Sequence, residues 1–242
     1  MRGELTREEW ERAFQLSVRP KVLSLMELIE QAKKEKKPKI AGLILAAGSS
    51  TRMGSPKQLL DVGNRSLLEH VLKEALKSDL DLVVLVLGYK AREIRKGLEV
   101  DPKNNRIKIV ENPGWNQGIS SSIKAGLAEI QEKYDHCMII LGDMPCISAK
   151  AVNQLLHEYL ASGLPLGAVK TEGRRSLPVV FSREFYEDLN RLEGDIGARE
   201  LFSENLDRAC LVEPDGYSDV DLDTPEDYDR FTKSFNKNTR ES

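Results

Sequence analysis

The chain has few cysteines, no long apolar run and no surplus of charge of one sign. Its three cysteines, Cys137, Cys146 and Cys210, form no C-x-x-C pair, and an odd number argues against a disulfide framework. The longest apolar stretches, such as Leu82–Leu87, fall far short of the roughly 18 residues of a membrane span. Lysine and arginine number 36 against 39 acids, a formal charge of −3, so the chain lacks the global basic field of a nucleic-acid binder. The start of the chain is polar, carries Glu4, Glu8 and Glu9, and leads into no apolar signal-peptide core. The histidines, His70, His136 and His157, share no spacing that suggests a metal site and read as structural or surface residues. These shortages predict a cytoplasmic globular protein with neither a nucleic-acid nor a membrane partner.

What is present supports a large folded unit. A chain of 242 residues can bury roughly 70–75% of its unfolded surface without disulfide or metal staples. Charged residues make up 31% and hydrophobic ones 40%, a globular rather than disordered balance. Residues 1–38 differ from the rest. Leu5, Trp10, Phe14 and Leu16 predict one short amphipathic helix, and Val22, Leu23, Met26, Leu28 and Ile29 a second after Pro20. The five lysines from Lys33 to Lys39 suit a solvated helix end, stopped by Pro38. The expected division is a helical N-terminal extension over 1–38 and one α/β domain over 39–242.

From Ile40 onward, strands and helices alternate. Continuous apolar runs at Ile40–Ala46, Leu82–Leu87 and Cys137–Leu141 predict strands buried on both faces, and Arg106–Val110, Leu166–Lys170 and Leu177–Phe181 also read as strands. Helical spacing marks Ser66–Leu76, Ala91–Leu98, Ile119–Ile130, Ala149–Leu160 and Pro225–Phe231. This alternation predicts a mostly parallel central sheet flanked by helices.

Four segments carry chemistry. The run from Leu45 through Ala46, Ala47, Gly48 and Ser49 to Arg52 and Lys57 directly follows the first strand, where ligands of such sheets bind. Its small residues let backbone N–H groups approach phosphate, and Arg52 and Lys57 can neutralise a triphosphate. It is neither a Walker loop nor the dinucleotide G-x-G-x-x-G. Gly142-Asp143-Met144-Pro145 ends a buried strand, where Asp143 can hold Mg²⁺ or simply start a turn. Asp221 and Asp223 alternate with apolar neighbours, so both fall on one face, a placement that favours a cation nearby. The adjoining Thr224, Pro225 and Asp227 make a capping-box helix start. Asn112 to Ser122 enters a helix through a serine run, either a plain N-cap or a receiver of base, ribose or phosphate.

Taken in order, these segments resemble the molybdenum cofactor cytidylyltransferases, within the MobA-like nucleotidyltransferases. That family shows L-A-A-G-x-S-x-R-M-G-x-x-K, N-x-x-W-x-x-G-x-x-x-S, G-D-M-P, G-D-x-G-A-R and D-x-D-T-P-x-D. All five occur here, including Gly194-Asp195-Ile196-Gly197-Ala198-Arg199. The resemblance implies a Rossmann-like nucleotidyltransferase fold that uses CTP and Mg²⁺, in which the phosphate of Mo-molybdopterin attacks the α-phosphorus of CTP and expels pyrophosphate. It implies catalytic roles for Lys57, Arg52 and Asp143. Nucleotide binding falls to Leu45, Ala46, Ala47, Gly48, Ser49, Ser120, Ser121 and Gly142 beside Arg52 and Lys57. The metal falls to Asp143 with Asp223, or else Asp221. Acceptor binding falls to Gly194, Asp195, Gly197, Ala198, Arg199 and Pro178, and an apo-molybdoenzyme is an implied recipient.

Related guanylyltransferases have L-A-G-G where this chain has Ala47, whose methyl narrows a base pocket toward a pyrimidine. The family's G-x-x-G-[HN]-P-[VL] stretch is altered, because Ser176 and Leu177 precede Pro178 where Gly and His or Asn are usual. Arg174 and Arg175 beside it read either as anion ligands or as exposed loop residues. Rival readings are a cytidylyl- or guanylyltransferase for another phosphorylated acceptor, as in the isoprenoid-pathway cytidylyltransferase, and a non-catalytic molybdopterin carrier that docks through residues 1–38.

Overall fold

A computed structural model describes residues 37–49, 57–101, 104–220, 222 and 224–240. The two helices expected before residue 37, the loop residue Arg52, and both Asp221 and Asp223 lie outside the described residues. Contacts divide the chain after Pro38, and the unit Lys39–Ser242 contains the sheet.

The sheet starts from β1 (Ile40–Ala46), seven residues all buried. Alternation splits them between two cores. Ile40, Ile44 and Ala46 face one cluster, whereas Ala41, Leu43 and Leu45 face the other. A strand with two apolar faces must be sandwiched, and each large aliphatic side chain so buried contributes about 1.5–3 kcal/mol. β4 (Leu82–Leu87) and β6 (His136–Leu141) pair with β1 in parallel on its two sides, and β5 (Ile107–Glu111) extends the sheet beyond β4. β7 (Leu166–Thr171), β8 (Arg174–Ser182) and β9 (Ala209–Val212) complete seven strands in the order β5-β4-β1-β6-β8-β7-β9. A two-stranded ribbon, β2 (Asp61–Val62) with β3 (Arg65–Ser66), stands apart.

Helices cover both faces, as the alternation requires. On the first core lie α1 (Leu67–Lys77), α2 (Ala91–Gly97) and α4 (Ala149–Ser162). On the second lie α3 (Ile119–Leu127), α5 (Tyr186–Arg191) and α6 (Ala198–Glu204). The last helix, α7 (Pro225–Arg240), sends Phe231 into the first core. Its start is the expected capping box. Thr224 Oγ1 accepts from the Asp227 N–H at 3.2 Å, and Asp227 Oδ2 accepts from the Thr224 N–H at 3.1 Å.

The fold is the mostly parallel Rossmann-like sheet expected, with local corrections. α3 stops before Ile130, because Glu129 and Ile130 turn to bonds three residues back, onto Gly126 and Leu127. β8 begins at Arg174 rather than Leu177 and runs antiparallel between β6 and β7. Its hairpin with β7 turns through Glu172 and Gly173, with φ of 49° and 75°, the two positive angles of a type I′ turn. The short α5 and α6 and strand β9 are additions to the elements read from the sequence.

Candidate active site

The carboxyl ends of β1 and β6 lie side by side, because Leu45 pairs with Leu141 in the parallel register. Whatever follows each strand is therefore brought together at one edge of the sheet. After β1 comes the small-residue loop, and after β6 comes Asp143. A cavity of about 400 Å³ opens there. Leu45, Ala46, Ala47, Gly48, Ser49, Lys57, Gly142 and Asp143 all line it. The Lys57 ammonium stands 3.6 Å from Asp143 Oδ2.

The loop is held by a residue that the sequence reading passed over. Gln58 is buried, and its Nε2 donates to the carbonyls of Ala46 at 3.2 Å and Gly48 at 3.1 Å. A buried amide on a short helical turn, spanning two carbonyls, fixes the backbone from which Ala47 and Gly48 face the cavity. In the sequence it stands out only as the end of the Pro56-Lys57-Gln58 run, which carries no role by itself.

The serine run behaves as structure. Asn112 is buried and its Nδ2 donates to Ser121 Oγ at 2.9 Å and Ser122 Oγ at 3.1 Å. Ser121 Oγ in turn donates to the Gly118 carbonyl. Ser120 is buried, and its N–H donates to the Gly194 carbonyl at 3.2 Å. Neither Ser120 nor Ser121 lines the cavity. Ser122 does, together with Trp115, Asn116, Gly118 and Ile119. Trp115 packs edge-on against Tyr89, with ring centroids 5.4 Å apart. It offers a π face where the sequence reading assigned none.

A second cavity of about 500 Å³ adjoins the first. Ile119, Leu141, Asp143 and Asp195 line both. Its floor is aliphatic, from Ile123, Ile139, Leu177 and Val179, and its rim carries Arg175, Arg199, Glu200 and Asp219. Of the residues expected on the acceptor side, Asp195, Gly197, Ala198 and Arg199 line this cavity, whereas Gly194 and Pro178 do not. Gly194 acts through its carbonyl, described above. Pro178 is buried within β8. Arg174 is exposed at the start of that strand, but Arg175 turns inward. Its guanidinium lies 4.9 Å from the centre of the Phe202 ring and donates to Ser203 Oγ at 3.2 Å. Burial and the neighbouring Arg199 charge hold the Arg175 guanidinium below its ordinary pKa range, with Glu200 opposing. Ser176 Oγ donates to Asp219, and the Tyr217 hydroxyl donates to the Leu177 carbonyl at 2.8 Å. The altered stretch is thus tied to the segment that precedes α7.

The donor set fits a hard divalent cation. Asp143 presents a partly exposed carboxylate to the space where phosphate would lie, and among the described residues no group of three His, Cys, Asp or Glu side chains could hold a metal alone. Mg²⁺ and its relatives suit such an arrangement, since they bind through one or two carboxylates and complete their shell with phosphate and water.

A family profile described as the MobA-like NTP transferase domain matches residues 42–209. The chain belongs to this family. It is therefore a nucleotidyltransferase, and the matched span includes both cavities up to Glu200. Among curated relatives, the nicotine blue oxidoreductase of Paenarthrobacter nicotinovorans is 29% identical over 197 residues, 78% of this chain and 94% of that protein. The molybdenum cofactor cytidylyltransferase of Escherichia coli K12 is 34% identical over 106 residues, 44% of this chain and 52% of that protein. The chain thus matches about half of that relative's length. Among solved structures, the Rv0371c homologue from Mycobacterium sp. strain JC1 superposes with a TM-score of 0.71 at 30% identity, covering 82% of this chain and 97% of that one. Mycobacterium tuberculosis Rv0371c in complex with manganese gives 0.67 at 26% identity, covering 81% and 99%. A divalent metal accompanies this fold in that relative. Among the described residues, no helix is long and apolar enough to cross a membrane.

Proposed function

We propose that this nucleotidyltransferase moves CMP from CTP to the phosphate of Mo-molybdopterin, with Mg²⁺, and releases pyrophosphate. One observation carries the reading: two cavities of different chemistry meet at Asp143 and Asp195. The first has the small-residue loop and Lys57, suited to a triphosphate. The second has an aliphatic floor with guanidiniums at its rim, suited to a flat ring system that bears an anionic group. A polyol or sugar phosphate would leave its hydroxyls unpaired on that floor. The E. coli relative's name supports the choice of nucleotide and acceptor.

In the reaction, an acceptor phosphate oxygen forms a new bond to the α-phosphorus of CTP while the bond to the β-bridging oxygen breaks. The electron pair leaves with pyrophosphate. No covalent enzyme intermediate is needed, because in-line placement and charge neutralisation carry most of such a transfer. The loop backbone from Ala46 to Ser49 cradles the phosphates, and Lys57, with Arg52 by resemblance, offsets the charge that builds on the leaving group. Asp143, with Asp223 or Asp221, would hold Mg²⁺, which when bound polarises the α-phosphate. Trp115 and Ala47 flank the space for the base, while Asp195, Gly197, Ala198 and Arg199 face the acceptor. We assign the activity to residues 39–242, with residues 1–38 as an extension and an apo-molybdoenzyme as recipient of the product.

The test incubates the protein with Mg²⁺, each nucleoside triphosphate in turn and Mo-molybdopterin, and follows pyrophosphate. CTP is expected to give the fastest release. A strong preference for GTP would overturn the cytidine assignment, and absence of release with every nucleotide would overturn the acceptor.

A further inference from the structure

Among the described residues, two arginines lie over a phenylalanine ring, and they differ in one respect. Arg208 lies 5.4 Å from the centre of the Phe185 ring and is paired with Glu184. Arg175 lies 4.9 Å from the centre of the Phe202 ring, and none of the described acids is within ion-pair distance of it. Lys170, opposite Arg175 on β7, is matched as well, by Glu213 at 2.8 Å. Of the acids that line the same cavity as Arg175, Asp143 faces Lys57 and Asp219 accepts from Ser176. Asp195 and Glu200 line it too, beyond ion-pair distance of Arg175 and of Arg199.

Arg175 is nevertheless fixed in place. Its guanidinium rests on the buried Phe202 ring and donates to Ser203 Oγ at 3.2 Å, which donates in turn to the Arg199 carbonyl at 2.8 Å. These contacts tie it to the part of α6 that carries Arg199, whose side chain lines the same cavity. Ordering a long side chain and half-burying its charge both cost free energy, and the like charge of Arg199 adds to the burial. An anion between the two guanidiniums would offset that cost. Arg175, Leu177 and Val179 alternate along β8 and line the cavity together, so the guanidinium stands at the outer end of the aliphatic floor. β8 runs antiparallel to β6, and its start therefore lies at the edge where β6 ends and Asp143 follows.

We infer that Arg175, with Arg199, forms an anion subsite in the second cavity that takes a phosphate monoester with a flat, apolar organic part, so that Arg175 selects the acceptor by its charge. This rests on the reading of the second cavity as the acceptor's side. A planar guanidinium held against an aromatic ring presents its remaining N–H groups as a fixed fork, a geometry that suits phosphate. Compounds without the phosphate would leave the two guanidiniums facing each other unrelieved.

Phenyl phosphate, one ring bearing one phosphate, is the probe, and its binding to the full chain is followed by phosphorus NMR without nucleotide. R175Q is expected to weaken it by about 10–100-fold, the range for losing hydrogen bonds to a charged group, and to leave CTP affinity unchanged. R208Q removes the acid-paired arginine outside both cavities and is expected to bind phenyl phosphate as the wild type does. Should R175Q fail to fold, R199Q, at an exposed position of α6, carries the same comparison. The inference is overturned if the wild type does not bind phenyl phosphate, or if the variant binds it with wild-type affinity. It is also overturned if R175Q loses CTP affinity equally, or if Lys57→Met weakens phenyl phosphate as much, which would put the phosphate in the first cavity. If binding depends on Arg175 but Mo-molybdopterin supports no pyrophosphate release with any nucleotide, the acceptor proposed above falls while the anion subsite stands.

Discussion

The ammonium of Lys57 stands 3.6 Å from the carboxylate of Asp143, although one follows β1 and the other follows β6. The Lys57 side chain is 12% exposed and that of Asp143 37%, so the pair sits in the cavity wall with its acid turned toward solvent. On the proposed reading, these neighbouring opposite charges serve phosphate and a cation respectively. Asp143→Asn keeps the shape and removes the charge. It is expected to cut the rate of pyrophosphate release by about 10²–10³-fold, the scale for losing one preorganised electrostatic group. Lys57→Met is expected to lose a similar factor, with more of the loss in nucleotide KM. Full activity of Asp143→Asn at ordinary Mg²⁺ would remove the proposed metal role.

Gln58 acts one step behind the chemistry. Replacing it by Leu keeps the bulk but leaves the carbonyls of Ala46 and Gly48 without the amide that now reaches both. The cost of stranding buried acceptors is about 1–3 kcal/mol, to be read as a lower denaturation midpoint in urea. On the proposed reading, in which the loop cradles the nucleotide, KM for the nucleotide should rise while kcat changes less. A variant with normal KM and a lowered midpoint would show Gln58 to be a stabilising residue alone.

Much of this arrangement was legible in the sequence, for a physical reason. β1, and β6 from Cys137 on, are apolar because both faces are covered, and a ligand edge follows from strand polarity once the sheet is parallel. That is why the loop after Ala46 and the acid after Gly142 could be named together. What stayed hidden depends on contacts distant in the chain. The insertion of β8 between β6 and β7 leaves no local mark beyond the Glu172–Gly173 turn, where a glutamate takes the left-handed region usually given to Asn, Asp or Gly. The serine run looked like a ligand site because its hydroxyls are free on paper. Asn112 occupies the hydroxyls of Ser121 and Ser122, the Gly194 carbonyl takes the Ser120 N–H, and only the fold brings those partners in. Trp115 and Gln58 line the cavity through turns whose direction no spacing rule gives.

Gly118 joins the two halves of the site. Its φ is +96°, and a Cβ there would lie 2.2 Å from the Gly194 carbonyl and 2.7 Å from the Asp195 nitrogen. Gly118→Ala must therefore displace the segment that carries Asp195, which lines both cavities. We expect a stability loss of about 1–3 kcal/mol from backbone strain and raised KM for nucleotide and acceptor together. Gly163→Ala is the control. It also has positive φ, +66°, but has nothing within 4 Å and caps α4 away from the cavities, so it should lose stability with unchanged KM values. If Gly118→Ala behaves like Gly163→Ala, the two subsites are not joined through this contact.

A pH dependence of stability follows from His136 at the start of β6. Its Nδ1 lies 2.9 Å from the Tyr159 hydroxyl, which donates onward to the Pro165 carbonyl at 3.3 Å. With that hydroxyl proton committed, the Tyr159 oxygen accepts from Nδ1–H, and the neutral ring satisfies the network. Burial lowers the His136 pKa from its ordinary 6.5, outweighing the pull of Asp135 in the other direction. The unfolded chain therefore binds more protons than the folded one between the folded value and about 6.5. The stabilisation is full above that upper bound, is lost progressively as pH falls toward the folded value, and falls no further from this group below it. Urea midpoints of the wild-type protein should thus decline on going from about pH 7.5 to pH 5.5. His136→Phe, which can keep the edge-on contact with Tyr159 but cannot titrate, should be less stable at the upper pH and decline less over the interval. Parallel declines in the two proteins would assign the acid sensitivity to other groups, with His70, whose pKa burial also lowers, the first to examine.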